Sequence, residues 1–209
     1  MSTVAKYLTV IAIACSLFVS CERNQNSGFA LLEEGKGIPG ICQIGQRPSS
    51  ARKSVATKTV RTTFHERGVG AVKEYSSGAL IFDTIDRGDG ERIARVSLLC
   101  NSSALKQEHK PNAERRVQTK LGLELMPSTP TLQSVIAAYG QPARKYESNQ
   151  EASLLEDIRN GTSYLIRSGG GDTPEYLHYP AVGIAFVIVQ GTVVKCSVEE
   201  PRTRQIWRY

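Results

Sequence analysis

Cysteine and histidine are the residue types here best suited to nucleophilic or acid–base chemistry, and there are few of them. Outside the first 21 residues they are Cys42, Cys100, Cys196, His65, His109 and His178. A thiolate activated by an imidazole could perform covalent catalysis, and the two need not be neighbours in the sequence. None of the six lies in a local signature such as Gly-x-Ser-x-Gly or His-Glu-x-x-His. The sequence therefore predicts no catalytic residue and no enzyme.

The other properties of these residues favour structural roles. Cys196 alternates with Val194 and Val198, which predicts a thiol buried on the apolar side of a strand. In an exported protein the two remaining thiols, Cys42 and Cys100, could then form a disulfide. Three scattered cysteines lack the paired C-x2-C spacing of zinc sites, so neither a metal nor another cofactor is expected.

The histidines give no better indication of a site. His109 lies in the polar stretch KQEHKPNAERR, which is typical of a linker. His178 precedes Tyr179 in a strand-like segment, where a packed or edge histidine is the expected role.

The N-terminus predicts export. Residues 7–20, YLTVIAIACSLFVS, form an uncharged run of 14 that follows Lys6, which is shorter than the roughly 20 residues a spanning helix needs. Residues 18–21, Phe-Val-Ser-Cys, resemble the lipobox of bacterial lipoproteins, with Phe where Leu is usual. The resemblance implies cleavage after residue 20 and acylation of Cys21, which would anchor the chain to the cell membrane or the outer membrane. A plain signal peptide and an uncleaved anchor stay open as alternatives.

Charge is uneven along the chain. Lys and Arg number 26 against 20 Asp and Glu, and six of these cations lie in residues 47–67. Such a stretch is usually the solvated side of an element, and near a lipid anchor it could also contact acidic lipid head groups. Nucleic acid is not an expected partner of an exported protein. No later apolar run approaches membrane-spanning length.

Two stretches predict related β-hairpins. Residues 75–99 align with 179–199, pairing Tyr75 with Tyr179 and Phe82 with Phe186, and the first copy has four extra residues in its turn. Each has strand-like residues, a Gly-containing turn and an alternating second strand in which Lys195, Ser197 and Glu199 face outward. The pattern leaves open whether the two halves are a duplication.

Residues 128–142, STPTLQSVIAAYGQP, predict a helix. Thr129 would cap it, Pro130 would take the first helical position, and an apolar face would run along one side. Gly140 and Pro142 would end it. The predicted fold class is α+β, with a short helix packed on an antiparallel β-meander, in one unit or in two tandem related units.

The second half resembles a known family. Thr129, Val135, Gly140 and Pro142, followed by Gly-Ile-x-Phe and Gly-x-Val-Val, make residues 122–200 similar to the small α+β domain of BamE/SmpA-type outer-membrane lipoproteins. The chain is about twice the length of that domain, and a tandem pair would resemble the architecture of β-lactamase-inhibitor proteins. Both resemblances imply protein–protein interaction, and neither implies a catalytic residue.

These observations predict six segments. They are a signal peptide (1–20), a lipid-anchored linker (21–36), a first β-rich unit (37–105), a polar linker (106–119), a second helix-plus-meander unit (120–201) and a basic, aromatic tail (202–209). The tail has residues typical of partner contacts: Arg202, Arg204, Trp207, Arg208 and Tyr209.

The predicted function is a non-enzymatic bacterial envelope lipoprotein that binds another envelope protein or acts as a scaffold. The alternatives are an exported enzyme with an unrecognised Cys/His site and a surface adhesion protein using Arg87-Gly88-Asp89. Turn formation is the expected role of that tripeptide. No small-molecule ligand is indicated.

Overall fold

The computed structural model describes residues 29–54, 58–63, 72–77, 79–86, 88–100, 116–126, 128–167 and 173–201. Within these ranges the chain is α+β, with most of its regular structure in strands, as predicted. The helices are α1 (Pro48–Ser54), α2 (Leu132–Tyr139) and α3 (Glu151–Asn160). The strands are β1 (Phe29–Leu32), β2 (Gly37–Ile38), β3 (Cys42–Gln43), β4 (Lys58–Thr63), β5 (Val72–Ser77), β6 (Leu80–Asp86), β7 (Glu91–Leu99), β8 (Arg116–Thr119), β9 (Glu124–Met126), β10 (Arg144–Glu147), β11 (Tyr164–Arg167), β12 (Glu175–Tyr179), β13 (Ile184–Val189) and β14 (Thr192–Glu199).

A nine-stranded sheet organises these elements. Its order is β10-β11-β12-β13-β14-β7-β6-β5-β4, and all neighbours are antiparallel except β10 and β11. Two meanders, β4 to β7 and β11 to β14, therefore join edge to edge through β7 and β14. A three-stranded sheet (β1-β8-β9) and a two-stranded sheet (β2-β3) complete the strand pairing.

The junction between β7 and β14 has a symmetric register. Ser97 lies opposite Ser197, Val96 opposite Val198 and Leu98 opposite Cys196. If each β7 residue is matched with the β14 residue whose number is 100 higher, every pair maps onto another pair of the same junction. The two serine hydroxyls are 2.9 Å apart at the centre of this symmetry.

The two predicted hairpins are confirmed as β6–β7 and β13–β14. Phe82 lies opposite Val96 and Phe186 opposite Cys196, so the aligned residues hold equivalent positions. Each hairpin also changes register at the same point, after Asp83 and after Val187. The four extra residues of the first copy lie beyond that point, at the turn.

The predicted equivalence of Tyr75 and Tyr179 is wrong. Tyr75 lies opposite Phe82, and the residue opposite Phe186 is Leu177. The reason is the length of the connection: β5 ends at Ser77 and β6 begins at Leu80, whereas β12 ends at Tyr179 and β13 begins only at Ile184. The longer turn moves Tyr179 two residues along its strand.

One face of the large sheet, here called the core face, carries the hydrophobic core. Phe82, Val96, Phe186 and Cys196 lie on it, and residues from β1, β2, β3, α1, β8, β9 and α2 pack against them in one buried cluster. Alternation along each strand places the next residues on the opposite face. That opposite face, which carries Arg95, Ser97, Lys195, Ser197 and Glu199, is called the groove face.

Helix α2 has the predicted face but not the predicted cap. Val135 is fully buried and Leu132, Ile136 and Tyr139 pack against the core. The N-cap is Thr131 and not Thr129, because the Thr131 hydroxyl accepts from the Ser134 N–H at 3.2 Å while the Ser134 hydroxyl accepts from the Thr131 N–H at 2.8 Å. The carbonyl of Pro130 instead accepts from the Val193 N–H, so this proline precedes the helix. Gly140, at φ 83°, ends it as expected.

Two strands lie within the segments predicted as linkers. β1 falls in residues 21–36 and β8 in residues 106–119, and the two pair in parallel from Phe29 opposite Arg116 to Leu32 opposite Thr119. Leu32 and Val117 are buried in the core. Short strands flanked by charge have too little periodicity to be recognised singly, because their burial depends on a partner distant in sequence.

Among the described helices, none combines the length and the apolar character that crossing a bilayer requires.

Candidate functional site

The predicted site residues fall into two groups. Cys21, the tail residues Arg202, Arg204, Trp207, Arg208 and Tyr209, and the histidines His65 and His109 lie outside the described residues. Cys42, Cys100, Cys196 and His178 lie within them.

The predicted Cys42–Cys100 disulfide is wrong, because both thiols are free and buried. Cys100 lies just after β7, where its N–H donates to the Val194 carbonyl and its thiol donates to the Leu98 carbonyl at 3.6 Å. Cys42 instead lies on β3, paired with Ile38. Burial raises the pKa of the Cys42 and Cys100 thiols to about 12. These thiols are consequently protonated near neutral pH, which removes their nucleophilic character.

The predicted burial of Cys196 is confirmed, since it is fully enclosed in the core and burial raises the pKa of its thiol well above the usual value. His178 lies on the other side of the sheet, in the row that crosses Ala185 and Ser197. The sheet therefore separates this thiol from this imidazole. A Cys–His pair between them is not formed.

His178 instead lies within a chain of polar contacts on the groove face. Its Nδ1 is 2.6 Å from the Tyr164 hydroxyl, and its Nε2 is 2.7 Å from Glu199 Oε1. The second contact is close, but the Glu199 oxygen does not meet the geometry of a hydrogen bond to the ring nitrogen. The imidazole and the Glu199 carboxylate are both more than nine-tenths buried.

The chain of contacts continues through a guanidinium. Arg95 contacts Glu199 and Asp83, at 3.7 Å in each case. Burial raises the pKa of the Asp83 carboxyl, and the charges of Arg95 and Lys195 partly oppose that rise. Five side chains from β11, β12, β14, β7 and β6 are thus connected across the sheet: Tyr164, His178, Glu199, Arg95 and Asp83.

A small residue makes the central contact of this chain possible. Ala185 on β13 lies between His178 on β12 and Ser197 on β14. Its methyl group leaves space above β13, so His178 and Glu199 can meet diagonally across that strand. A larger side chain at position 185 would fill this space.

Next to these contacts is an open groove of about 350 Å³. One part of its lining is apolar, formed by Ile158 of α3 together with Ile166, Tyr176 and Val187 of the sheet. Tyr176 is the most exposed of these, at 48%. The other part is polar and includes Lys195 and Ser197. We call this cavity the β11–β14 groove.

Helix α3 forms the wall of the groove at one end. Arg144 on β10 contacts Asp157 at 3.4 Å, and the Tyr146 hydroxyl donates to the Ser153 carbonyl at 3.3 Å. These contacts hold the helix over the groove face. Gly161, in a left-handed conformation, ends the helix before β11 begins.

Both ring nitrogens of His178 face side chains of the protein itself, Nδ1 towards the Tyr164 hydroxyl and Nε2 towards the Glu199 carboxylate. No cluster of three or more His, Cys, Asp or Glu side chains suitable for a metal occurs in the described part of the chain.

Asp86, Gly88, Asp89 and Gly90 have the turn-forming role that the sequence predicts. Asp86 Oδ1 accepts from the N–H groups of Gly88 at 2.8 Å and Gly90 at 3.2 Å, and both glycines have positive φ. Asp89 contacts Arg92 at 3.5 Å. These contacts account for the Gly and Asp residues by turn geometry.

The sequence indicated some groove residues individually but not as a site. The alternation in β14 correctly placed Lys195, Ser197 and Glu199 away from the core. It did not reveal that Val193 and not Val194 is the buried residue, because the register change after Val187 displaces the alternation. Tyr164 and His178 join Glu199 only through cross-strand register, and a single sequence does not encode that register locally.

Comparison with protein-family models, with curated protein sequences and with solved structures gives no match.

Proposed function

We propose that this chain is a non-enzymatic bacterial envelope lipoprotein that binds another envelope protein. Acylation of Cys21 would anchor it to the cell membrane or the outer membrane, as the Phe-Val-Ser-Cys sequence suggests. Because the anchor precedes β1 by only eight residues, the folded part would lie close to the membrane surface.

We also propose that the chain consists of two tandem related units, each with a short helix packed on a β-meander. Helix α1 precedes the first meander and α2 precedes the second, and the symmetric register about Ser97 and Ser197 supports two tandem related units. The change of register that both hairpins make at the equivalent position also supports two related units. The resemblance to BamE/SmpA-type domains and to β-lactamase-inhibitor proteins adds the expectation of a protein partner.

The observation that carries the binding proposal is an exposed apolar surface beside the groove. Leu155 of α3 is 49% exposed and lies one helical turn from Ile158, which lines the groove with Tyr176. Aromatic and aliphatic side chains that remain exposed next to a concave surface are typical of interaction sites. The surface formed by Leu155, Ile158 and Tyr176 is the proposed partner contact.

Photocrosslinking in native cells tests this contact. A photoreactive residue replaces Leu155 in the full-length chain, and a matched variant carries it at Leu121, which is 57% exposed and lies outside this surface. The proposal expects one discrete adduct with an envelope protein from position 155 and none from position 121. Equal labelling from both positions, or no adduct from position 155, would contradict the proposal.

A further inference from the structure

We propose that the envelope protein bound by this chain inserts one large uncharged side chain, aromatic or aliphatic, into the β11–β14 groove. This inference rests on the proposed function and names the chemistry of the partner at the same site. The groove is continuous with the proposed contact surface, because Ile158 and Tyr176 belong to both. A protein seated on Leu155 and Tyr176 therefore meets the groove as well.

The strands that form the floor of the groove leave no edge for main-chain pairing. Each of β11, β12, β13 and β14 pairs with a strand on both sides in the nine-stranded sheet. A partner can consequently enter the groove with a side chain but not as an additional strand. The cavity of about 350 Å³ exceeds the roughly 150 Å³ that holds a benzene ring, so it has room for one large side chain.

The apolar lining suits an uncharged side chain. Ile166, Tyr176 and Val187 lie opposite one another in register on β11, β12 and β13. Ile158 of α3 lines the same cavity, and so does Ala185, whose methyl group fills little of it. Side chains that enter a desolvated pocket of this kind contribute much of the binding energy of protein interfaces.

The charges at the polar end of the groove disfavour an ionised side chain. Arg95 contacts the carboxylates of Glu199 and Asp83, and the charge of Lys195 acts on Asp83 together with that of Arg95. Two cations thus balance two carboxylates at this end of the groove. An ionised side chain would gain little there and would lose its hydration. We therefore expect the partner to insert Leu, Ile, Met, Phe, Tyr or Trp.

Crosslinking from the floor of the groove tests the inference. A small aliphatic diazirine residue replaces either Val187, which lines the groove, or Leu155 on the adjoining surface, in the full-length chain in native cells. Both positions should give an adduct with the same envelope protein. Tandem mass spectrometry of the adduct from position 187 should place the new bond on one of the six residue types named above.

The outcomes separate this inference from the proposed function. An adduct from position 155 without one from position 187 overturns the insertion and leaves the proposed function standing. A bond from position 187 to a charged side chain or to a lipid also overturns the insertion. The absence of an adduct from both positions overturns the insertion and the proposed function together.

Filling the groove provides a second test. Val187→Phe should lower the yield of the adduct from position 155 at least about tenfold, because the inserted side chain loses its pocket. Val182→Phe is the matched control, since Val182 is 42% exposed in the turn before β13 and does not line the groove. Far-UV circular dichroism of the purified variants establishes that both are folded. An unchanged yield with folded Val187→Phe, or an equal loss with Val182→Phe, overturns the inference.

Discussion

Tyr139 connects three parts of the chain through one side chain. Its ring packs on Tyr179 and Phe186, with centroids 5.4 Å apart in both cases, and its hydroxyl donates to Glu34 Oε1 at 2.6 Å. Glu34 belongs to the turn after β1 and also accepts from the Leu121 N–H. Burial raises the pKa of the Tyr139 phenol, and the neighbouring Glu34 carboxylate raises it further. The phenol therefore stays a hydrogen-bond donor at any ordinary pH.

Tyr139→Phe should lower the free energy of unfolding by about 1.5–3 kcal/mol, because a hydrogen bond to a charged group is lost while Glu34 stays partly enclosed. Urea denaturation measures the change. Tyr176→Phe is the matched control, since Tyr176 is half-exposed and its loss of a hydroxyl should cost less than about 0.5 kcal/mol. Equal effects of the two substitutions would contradict this role for Tyr139.

Cys42, Cys100 and Cys196 should resist thiol reagents in the folded protein at pH 8 and react fully in urea. All three are buried, so a reagent cannot reach them in the folded protein. Burial also raises the pKa of each thiol, so little of the reactive thiolate is present at pH 8. Mass spectrometry of labelled peptides identifies each site. Rapid labelling of any of the three without urea would show that its thiol is not enclosed.

The same thiols predict a pH dependence. The pKa of Cys42 rises from an ordinary value of 9.0 to about 12 on folding, so the unfolded chain loses this proton first. The stability associated with the protonated thiol is complete below pH 9 and is lost as the pH approaches 12. The urea midpoint should therefore fall less steeply with pH in Cys42→Ala than in the unsubstituted protein. Identical slopes would contradict the raised pKa.

At the scale of elements, the turn between β12 and β13 is tightly constrained. Gly183 has φ 73°, its N–H donates to the Tyr179 carbonyl at 3.0 Å, and its own carbonyl accepts from the Glu199 N–H at 3.0 Å. A Cβ on this residue would lie within 2.9 Å of Gly35 Cα and closer still to the Glu199 carbonyl. This turn, the turn between β1 and β2 and the end of β14 consequently meet where only glycine fits.

Gly183→Ala should destabilise the protein by more than about 2 kcal/mol, since it combines an unfavourable φ with a backbone clash. Gly191→Ala is a matched control: Gly191 also has φ 73°, but no atom lies within 4 Å of its would-be Cβ. The control should cost about 1 kcal/mol, which is the φ contribution alone. Urea denaturation of both variants measures the difference, and similar losses would contradict the proposed close approach.

Some of these elements can be predicted from local sequence patterns, whereas others depend on contacts between residues distant in sequence. The apolar face of α2 and the two hairpins follow local patterns, and both were predicted correctly. The cap of α2 was misplaced by two residues because Thr129 and Thr131 are equally suitable by type, and the choice depends on Ser134 and on pairing with β14. The β11–β14 groove was not predicted, since Tyr164, His178 and Glu199 are brought together by pairing between strands that are distant in sequence.

At the scale of the whole molecule, the two halves are not independent. Strand β7 pairs with β14 over five residue pairs, and β1 pairs with β8, so each half supplies strands to sheets shared with the other. Both halves also contribute to one buried hydrophobic cluster. Separating them would expose the core face and two strand edges together.

Unfolding should therefore be a single cooperative transition, even if the halves are related units. The transitions followed by far-UV circular dichroism and by hydrogen exchange of β7 and β14 amides should coincide in urea. Two separated transitions, with one meander unfolding before the other, would contradict the continuity of the nine-stranded sheet.

Location determines which partners and ligands this molecule can meet. A lipid on Cys21 would restrict it to a membrane surface, where the surface formed by Leu155, Ile158 and Tyr176 could contact another envelope protein. The same anchor would place the basic stretch at residues 47–67 near acidic head groups. Every part of the proposed function therefore depends on the start of the mature chain.

The intact mass of the protein purified from its own cells tests this most directly. We expect a chain that begins at Cys21, carries the added mass of acyl groups and shows no loss of two hydrogens from a disulfide between Cys42 and Cys100. A mature chain that begins elsewhere, or that begins at Cys21 without acyl groups, would contradict the proposal of an envelope lipoprotein.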